Sequence, residues 1–287
     1  MKLSIVTINY NSSENTIKLL ESLKNQTDKN FEVIVVDNNS NDVDKLMSYE
    51  TSESNIIYIK NDLNLGYSGG NNMGIRQALE NGSDWVLLLN NDTIPENRLI
   101  ERIKADLGGR EGVVGLALDE GDKVAYAGQI QWLKPTLKHI TNFRLAMSKM
   151  GYAIGGAMLI HKSVFDKIGF LDEKYFLYFE DADFTLRARK AGIPVSSLPE
   201  IKILHSVSAS TKKLGSPMLL RYHYRNALYF NLKNGPWYIK LSVWPWSWLI
   251  VGKQIVKIIL GKNREQSLAI LKGMGDWYSG KMGKLHD

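Results

Sequence analysis

The chain has 287 residues, 44% of them hydrophobic, which is enough for one large α/β domain with an appendage or for two small domains. It contains no cysteine, which excludes disulfides, thiolate metal sites and cysteine nucleophiles. The net charge is +6, and eleven Lys or Arg but no Asp or Glu occur between Ile201 and Arg264. This asymmetry predicts a basic surface facing an anionic partner, either nucleic acid or anionic lipid. The first residues lack the apolar segment and cleavage site of a signal peptide, so none is expected.

The first ninety residues alternate between short apolar runs and amphipathic segments. The predicted strands are 3–8, 31–36, 56–59 and 85–89, and helices are predicted over 14–25 and about 75–81. A short unbroken apolar run is typical of a strand that is buried on both faces. The alternation therefore predicts an α/β fold with a mainly parallel, doubly wound sheet and flanking helices.

Amides and acids follow three of these strands directly. The three segments are Asn9-Tyr10-Asn11, Asp37-Asn38-Asn39 and Asn90-Asn91-Asp92. In open α/β sheets, ligands bind beyond the carboxyl ends of the strands. We therefore expect a polar pocket in which the Asp92 carboxylate meets a divalent metal that carries phosphates. Turns capped by Asn and Asp are the simpler alternative for each segment taken alone.

A glycine-rich segment, residues 66–74, precedes the predicted helix at 75–81. Its glycines do not have the spacing of the dinucleotide-binding fingerprint. The segment can nevertheless bring bare backbone N–H groups close to a phosphate at the start of a helix. A flexible turn is the alternative.

The second half of the chain is less regular. Helices are predicted over 96–107, 162–168 and about 183–191, and strands over 113–118, 195–199 and 201–204; the apolar segment 154–160 directly precedes the second of these helices. Residues 119–149 are predicted to be irregular or a hairpin. Three acids, Glu180, Asp181 and Asp183, follow a dense aromatic run. Helix capping accounts for one of them, whereas a carboxylate with a raised pKa in a partly apolar pocket is the usual form of a general base. His205 ends the last strand and is a candidate metal ligand, although a lone histidine is more often structural.

Taken in order, these motifs resemble family 2 glycosyltransferases of the inverting type with the GT-A fold, and most closely the rhamnosyltransferase-like branch. The matching segments begin at Ser4 and end at His205, and the resemblance covers about residues 3–230. It implies a GT-A catalytic domain over 1–230, with a nucleotide-sugar-binding half (1–110) and an acceptor half (111–230). Residues 231–287 would form a basic, Trp-rich helical tail.

The resemblance also implies roles for individual residues. The donor would be bound by a set of polar strand-end and loop residues: Thr7, Asn9, Tyr10, Asp37, Asn38, Asn64, Gly66, Asn71, Asn90 and Asn91. Asp92 and His205 would hold Mg²⁺ or Mn²⁺ against the diphosphate. Asp181 would be the general base, and Glu180 and Asp183 would position the acceptor or shape the environment of that base. Much of the wider family has two acids in the metal motif, whereas here only Asp92 is acidic, a form that favours a deoxythymidine-diphosphate-sugar donor.

The tail contains four tryptophans between residues 237 and 248, with lysines at 240, 253 and 257. The apolar run between Lys240 and Lys253 has twelve residues and contains Pro245, so it is too short to span a bilayer. This composition favours a segment, 237–264, that lies in the membrane interface, and it is too apolar for a nucleic-acid surface. The alternative is a helical tail packed on the catalytic domain or on a second subunit, which leaves a homodimer open.

These features together predict an inverting glycosyltransferase. It would move a sugar, L-rhamnose being one candidate, from a dTDP- or UDP-sugar to a hydroxyl of a glycan or lipid-linked glycan, by metal-assisted single displacement. We expect it to be cytoplasmic and peripheral on the inner face of the cell membrane. One alternative is a sugar-nucleotide nucleotidyltransferase, which would be expected to carry a basic Gly-rich loop after the first strand, where this chain has Asn9-Tyr-Asn-Ser12. The other is a non-catalytic nucleotide- or sugar-binding module.

Overall fold

The computed structural model describes residues 1–49, 55–146, 148–205 and 216–285. Its strands are β1 (Leu3–Asn9), β2 (Glu32–Asp37), β3 (Ile56–Lys60), β4 (Trp85–Leu89), β5 (Thr93–Ile94), β6 (Val113–Asp119), β7 (Val124–Ala125), β8 (Ala127–Gln129), β9 (Lys138–Ile140), β10 (Gly151–Tyr152), β11 (Ala157–His161) and β12 (Val195–His205). Its helices are α1 (Ser13–Lys24), α2 (Val43–Met47), α3 (Gly66–Glu80), α4 (Leu99–Leu107), α5 (Phe143–Ala146), α6 (Lys162–Ile168), α7 (Glu180–Lys190), α8 (Pro217–Asn234), α9 (Trp237–Ile259) and α10 (Arg264–Tyr278).

A large sheet runs through the molecule in the order β3-β2-β1-β4-β11-β6-β12-β5, with β7 paired to β6. Strands β1 to β4 are mutually parallel, as the alternating sequence predicts. Apolar side chains on one face of the sheet pack against α1 and α4, and those on the other face pack against α3, α6 and α7. The doubly wound α/β architecture is therefore confirmed.

The second half of the sheet is mixed rather than parallel. Strand β11 runs antiparallel to both of its neighbours, β4 and β6, and β12 runs parallel to β6 but antiparallel to β5. The reversal has a consequence for the site, because it places the start of β11 at the edge where β4 ends. The Asn90 N–H donates to the carbonyl of Gly156 at 3.0 Å across this junction.

In the second half of the chain, the structure corrects one prediction and confirms another. Strand β12 is one continuous strand instead of two, with a register shift between Leu198 and Lys202 around Pro199, where a strand cannot donate a ladder hydrogen bond. The irregular region contains the expected hairpin, since β8 and β9 pair antiparallel and β10 joins them in a small sheet.

The glycine-rich segment is not a loop before a helix; it is the first part of α3, which begins at Gly66 and not near residue 75. Glycine is needed there for close packing on the sheet. A Cβ at Gly70 would lie 2.7 Å from Nδ2 of Asn38, and one at Gly74 would collide with Val6. The local glycine content therefore favours a turn, but the contacts of α3 with β1 and β2 decide its conformation.

Helices α8, α9 and α10 pack on one another at the C-terminal side of the chain. Helix α8 continues through residues 230 and 231, where the sequence predicts the boundary between catalytic domain and tail. Lys212 and Lys213 of the basic stretch lie outside the described residues. In the part of the chain that the structure describes, no helix combines the length and the apolar character required to cross a bilayer.

Candidate functional site

A cleft of about 1140 Å³ opens at the carboxyl edge of the parallel strands. One wall is formed by the strand ends and the start of α3, and includes Tyr10, Asn38, Asn64 and Tyr67. The opposite wall comes from α8, α10 and the residues after α10, and includes Met218, Tyr222, Leu268, Leu271 and Leu285. The cleft therefore has one wall rich in amides and a second wall in which apolar side chains alternate with charged ones.

Most of the predicted donor-binding residues meet in this cleft. Those that line it are Tyr10, Asn38, Asn64, Gly66, Asn71, Asn90 and Asn91, together with the predicted metal ligand Asp92. The strand ends bring them together because neighbouring parallel strands finish at one edge of the sheet.

The other three, Thr7, Asn9 and Asp37, are buried beneath the lining. Nδ2 of Asn9 donates to Oδ1 of Asp37 at 2.8 Å, and the Ser40 N–H donates to Oδ2 of Asp37 at 3.0 Å. Oγ1 of Thr7 has no hydrogen-bond partner among the described residues. Asn9 and Asp37 thus join the ends of β1 and β2 and set the positions of the loops that line the cleft.

Asp92 and His205 lie together although 112 positions separate them in the chain. The pairing of β12 with β5 places His205 opposite Thr93, and Nε2 of His205 is 3.2 Å from Oδ1 of Asp92. Burial lowers the pKa of His205, but its hydrogen bond to Asp92 and the charges of Asp92 and Glu120 outweigh this, so the pKa is raised overall.

This pair fits one particular kind of metal site. No group of three or more His, Cys, Asp or Glu side chains able to hold a metal occurs among the described residues. Mg²⁺ is commonly held by one or two protein carboxylates together with substrate phosphates, so a site of two side chains at the wall of a cleft suits a metal that arrives with a diphosphate. Asp92 supplies a carboxylate for this purpose, and His205 supplies a ring nitrogen.

Two adjacent acids, Glu180 and Asp181, begin α7 and are buried. Oδ2 of Asp181 accepts the Gly155 N–H at 3.0 Å, and Oδ1 accepts the Ala182 N–H at 2.8 Å. Burial raises the pKa of Asp181 to about 6, against these two hydrogen bonds. Burial, and then the charge of Asp181, raise the pKa of Glu180 well above its ordinary value, and its Oε2 has no hydrogen-bond partner among the described residues. Asp181 is therefore a carboxylate that can both hold and release a proton near neutral pH.

Asp183 is in a different environment from the other two acids. It is fully buried and accepts hydrogen bonds from Arg187 Nε at 2.8 Å, Lys233 Nζ at 3.0 Å and Asn234 Nδ2 at 2.7 Å. Its charge is compensated by two cations, one from α7 and one from α8. The carboxylate thus joins these two helices.

The backbone before α7 is strained. Phe176, Tyr178 and Phe179 have φ angles of +62°, +70° and +76°, a left-handed conformation that bulky residues rarely adopt. Asn226 of α8 holds this run, because its Nδ2 donates to the carbonyls of Tyr175 and Leu177 at 2.9 and 2.8 Å and to that of Tyr178 at 3.2 Å.

The same run also occupies the first amides of α3. The Tyr67 N–H donates to the carbonyl of Phe176 at 2.7 Å and the Gly66 N–H donates to Oδ1 of Asn64 at 2.8 Å. Gly66 has a φ of +72°, and a Cβ there would collide with the Phe176 carbonyl. The idea that these amides receive a phosphate is therefore wrong: protein groups already engage them, and Gly66 serves the approach of α3 to Phe176.

Sequence reasoning missed the far wall and Tyr67. Three cationic residues, Arg221, Lys272 and Lys284, line the cleft from the C-terminal helices and the residues after them. Arg221 forms a two-pronged ion pair with Asp276 at 2.6 and 3.0 Å. The excess of basic residues after Ile201 hinted at Arg221, but no local pattern distinguishes it from the other cations of that stretch.

Comparison with known proteins gives a consistent result. Residues 4–169 match the model of glycosyl transferase family 2. The low-salt glycan biosynthesis hexosyltransferase Agl10 of Haloferax volcanii is 28% identical over 303 residues, covering 98% of this chain and 92% of its own. The dTDP-rhamnosyl transferase RfbF of Shigella flexneri is 27% identical over 241 residues, covering 80% of this chain and 79% of its own. An N-acetylglucosaminyl-diphospho-decaprenol L-rhamnosyltransferase of Mycobacterium tuberculosis is 24% identical, covering 94% and 98%.

Solved structures show the same fold. The mannosyltransferase PcManGT of Pyrobaculum calidifontis, in complex with GDP-Man and Mn²⁺, superposes with a TM-score of 0.59 at 12% identity and covers 97% of this chain and 87% of its own. Residues 1–349 of S. aureus TarS, in complex with UDP-GlcNAc, give a TM-score of 0.58 at 15% identity, covering 98% and 93%.

Proposed function

The chain belongs to glycosyl transferase family 2 as a rhamnosyltransferase-like glycosyltransferase, and on that basis we propose that it transfers L-rhamnose from a dTDP-sugar donor to a hydroxyl of a lipid-linked glycan, with inversion. The observation that carries the proposal is the shared edge of the sheet. The antiparallel start of β11 brings Gly155, which holds Asp181, to the edge where Asp92 ends the segment after β4. Asp181 is buried and does not line the cleft, whereas Asp92 does, and their position at the same edge of the sheet supports a reaction centre between them.

The donor lies in the cleft, against the polar wall. Its nucleoside contacts the strand-end residues Tyr10, Asn38 and Asn64, and Asn90 and Asn91 lie beside Asp92, where the diphosphate would be held. Asp92 and His205 would hold Mg²⁺ or Mn²⁺, which would supply Lewis-acid stabilisation for the departing diphosphate. Asn9 and Asp37 support this wall from beneath, with Thr7 buried beside them.

Transfer is a single displacement. Asp181 takes the proton of the acceptor hydroxyl while the hydroxyl oxygen attacks the anomeric carbon, and the bond from that carbon to the diphosphate oxygen breaks. The leaving nucleoside diphosphate keeps the electron pair. Burial raises the pKa of Glu180 well above its ordinary value, which favours its neutral form and so reduces its repulsion of the Asp181 carboxylate and of the incoming donor. Asp183 positions α7 through Arg187 and Lys233.

The names of the relatives support the choice of substrates. RfbF is a dTDP-rhamnosyl transferase, and the mycobacterial relative acts on N-acetylglucosaminyl-diphospho-decaprenol. A UDP-sugar remains the second donor to test, because the polar wall offers amides that suit either pyrimidine.

The outer face of α9 supports a peripheral membrane location on the cytoplasmic face. Trp237, Trp248 and Leu249 are 73%, 66% and 73% exposed, while Lys240 and Lys253 on the same helix are also exposed. An amphipathic helix with exposed aromatics and lysines suits the headgroup region of an anionic bilayer. The opposite face of α9 packs on α8 and α10, so packing within the chain and membrane contact use different faces.

The donor site is tested by thermal unfolding with dTDP, UDP and their sugar derivatives, each with and without Mn²⁺. A ligand that binds only the native state raises the unfolding midpoint, and at 100 times its Kd it contributes about 2.7 kcal/mol. We expect a Mn²⁺-dependent shift with dTDP-L-rhamnose, and loss of the Mn²⁺-dependent part in Asp92→Asn.

Equal midpoints across all ligands would contradict the proposed function. Product analysis separates it from the alternatives: release of dTDP accompanied by glycosylated acceptor is expected. Formation of a nucleotide-sugar from nucleoside triphosphate and sugar phosphate would indicate a nucleotidyltransferase, and tight binding with no turnover would indicate a binding module.

A further inference from the structure

Tyr67 occupies a central position in the site that its place in the sequence does not reveal. It is the second residue of α3, and its N–H is held by the carbonyl of Phe176 at 2.7 Å. Its carbonyl accepts Nδ2 of Asn71 at 3.0 Å. The backbone of Tyr67 is thus tied to the strained run that leads into α7, and the residue is part of the lining of the cleft.

The hydroxyl of Tyr67 lies against Gly155. A Cβ at Gly155 would be 2.9 Å from Oη of Tyr67, 3.2 Å from Cε1 and 3.3 Å from Cζ. The N–H of this same glycine donates to Oδ2 of Asp181. One residue therefore contacts the hydroxyl of Tyr67 and holds the carboxylate of Asp181.

Tyr67 lines the cleft beside Asp92 and contacts Gly155, which holds Asp181, so carboxylates from both parts of the proposed site act on it. Burial, followed by the charges of Glu180 and Asp181, raises the pKa of Tyr67 against a hydrogen bond with the Asn71 side chain, which lowers it, and the charge of Asp92 adds to the rise. The hydroxyl therefore stays protonated and lies within electrostatic range of both the acids of α7 and the proposed metal ligand. In a displacement, the reacting carbon must lie between the leaving diphosphate and the base, so the sugar ring must pass beside Tyr67.

We propose that the Tyr67 hydroxyl forms a hydrogen bond with a hydroxyl of the donor sugar, and that Gly155 has no side chain because Tyr67 must fill that space. This inference rests on the proposed function, since it assumes a nucleotide-sugar donor. It assigns Tyr67 to recognition of the sugar and not of the nucleotide. The neighbouring Gly156 serves another contact, because a Cβ there would be 2.9 Å from Nδ2 of Asn90.

The first test compares dTDP with dTDP-L-rhamnose as ligands of Tyr67→Phe, which removes only the hydroxyl. One neutral hydrogen bond corresponds to roughly a threefold to tenfold change in affinity. We expect dTDP-L-rhamnose to bind Tyr67→Phe more weakly than the wild type by this factor, while dTDP binds the two proteins with the same affinity. Equal loss for both ligands, or loss for neither, would overturn the inference while leaving the donor site itself intact. A wild-type chain that binds neither ligand would overturn the proposed function as well.

The second test uses the Gly155 contact. We expect Gly155→Ala to reduce the transfer rate strongly in the wild type. In the Tyr67→Phe background, the fold reduction caused by Gly155→Ala should be at least three times smaller, because the atom closest to the new methyl group has been removed. Gly156→Ala is the matched control: its contact is with Asn90, so Tyr67→Phe should not reduce its effect. The assignment would be overturned if Tyr67→Phe reduced the effects of Gly155→Ala and Gly156→Ala equally, or if it left the effect of Gly155→Ala unchanged.

Discussion

The pair of acids at the start of α7 determines how the activity should depend on pH. Burial raises the pKa of Asp181 to about 6, and Asp181 must be unprotonated to accept the proton of the acceptor. We expect kcat/KM for transfer to fall as the pH is lowered through about 6 and to level off above it.

Asp181→Asn should lower kcat by about 10² to 10⁴ while dTDP-L-rhamnose still binds, measured by product formation and by the shift of the unfolding midpoint. Intact transfer in this variant would remove Asp181 from the mechanism.

The same raised pKa has an effect on stability. Because the folded chain binds the proton of Asp181 more tightly than the unfolded chain, whose Asp has a pKa near 3.8, stability falls as the pH rises between about 4 and 6. A shift of about two pKa units corresponds to roughly 3 kcal/mol as an upper bound. Asp181→Asn should therefore raise the free energy of unfolding at pH 8 and have little effect at pH 4. A variant that is less stable at pH 8 would indicate that the hydrogen bonds of Asp181 outweigh its burial.

The residues of the donor wall could be predicted from sequence because their signal is local. An apolar run that stops at amides and an acid marks a strand end, and parallel strands end at one edge. The role of Asp183 could not be predicted in this way, since Lys233 and Asn234, which compensate and hold it, come fifty residues later. Tyr67 was missed for the same reason: its importance comes from Gly155 and Phe176, which are distant in sequence.

Helix α8 holds the strained run before α7. Asn226 is fully buried and its amide donates to three carbonyls of that run. Asn226→Asp keeps the shape of the side chain but replaces the donor with an acceptor, which leaves those carbonyls facing a carboxylate. We expect unfolding in urea to show a loss of about 2 to 4 kcal/mol, because buried polar groups lose their partners.

The run also positions Asp181, so the variant should lose transfer activity even at temperatures where it remains folded. The exposed Asn97 provides a matched control, and Asn97→Asp should change neither quantity by much. Full activity in folded Asn226→Asp would show that the left-handed conformations do not depend on α8.

The parallel half of the sheet followed from sequence because helix and strand periods alternate cleanly up to residue 89. The direction of β11 could not be predicted from sequence, because a short apolar strand has the same pattern whether it runs parallel or antiparallel to its neighbours. Its orientation depends on its partners, β4 and β6. The start of α3 was misplaced because six residues of low helix propensity, four of them Gly and two Asn, lie in its first nine positions, whereas packing on β1 and β2 decides the outcome.

For the molecule as a whole, the exposed face of α9 should act as an attachment surface. Trp248→Ser with Leu249→Ser removes two large apolar side chains without touching the face that packs on α8 and α10. We expect sedimentation with vesicles of anionic phospholipid to decrease by at least about tenfold, with an unchanged unfolding midpoint. Added salt should weaken the remaining binding, because the lysines of α9 contribute through charge.

The exposed Met47 on α2 serves as the control, since Met47→Ser removes an apolar side chain that is 55% exposed elsewhere on the surface. Equal vesicle binding by the wild type and the double variant would assign the exposed face of α9 to a protein partner.

Helix α10 contacts two regions at once. Leu268 and Leu271 face the cleft, while Ile270 and Met274 pack against α8 and α9. Helix α10 is therefore the element through which attachment of α9 to a surface would act on a wall of the cleft. Binding to a bilayer and binding of donor are then thermodynamically linked. If attachment to a bilayer changes the donor affinity by some factor, bound donor changes the bilayer affinity by the same factor. If attachment tightens donor binding, the enzyme is retained at the membrane most firmly when donor is bound; if attachment weakens it, bound donor releases the enzyme.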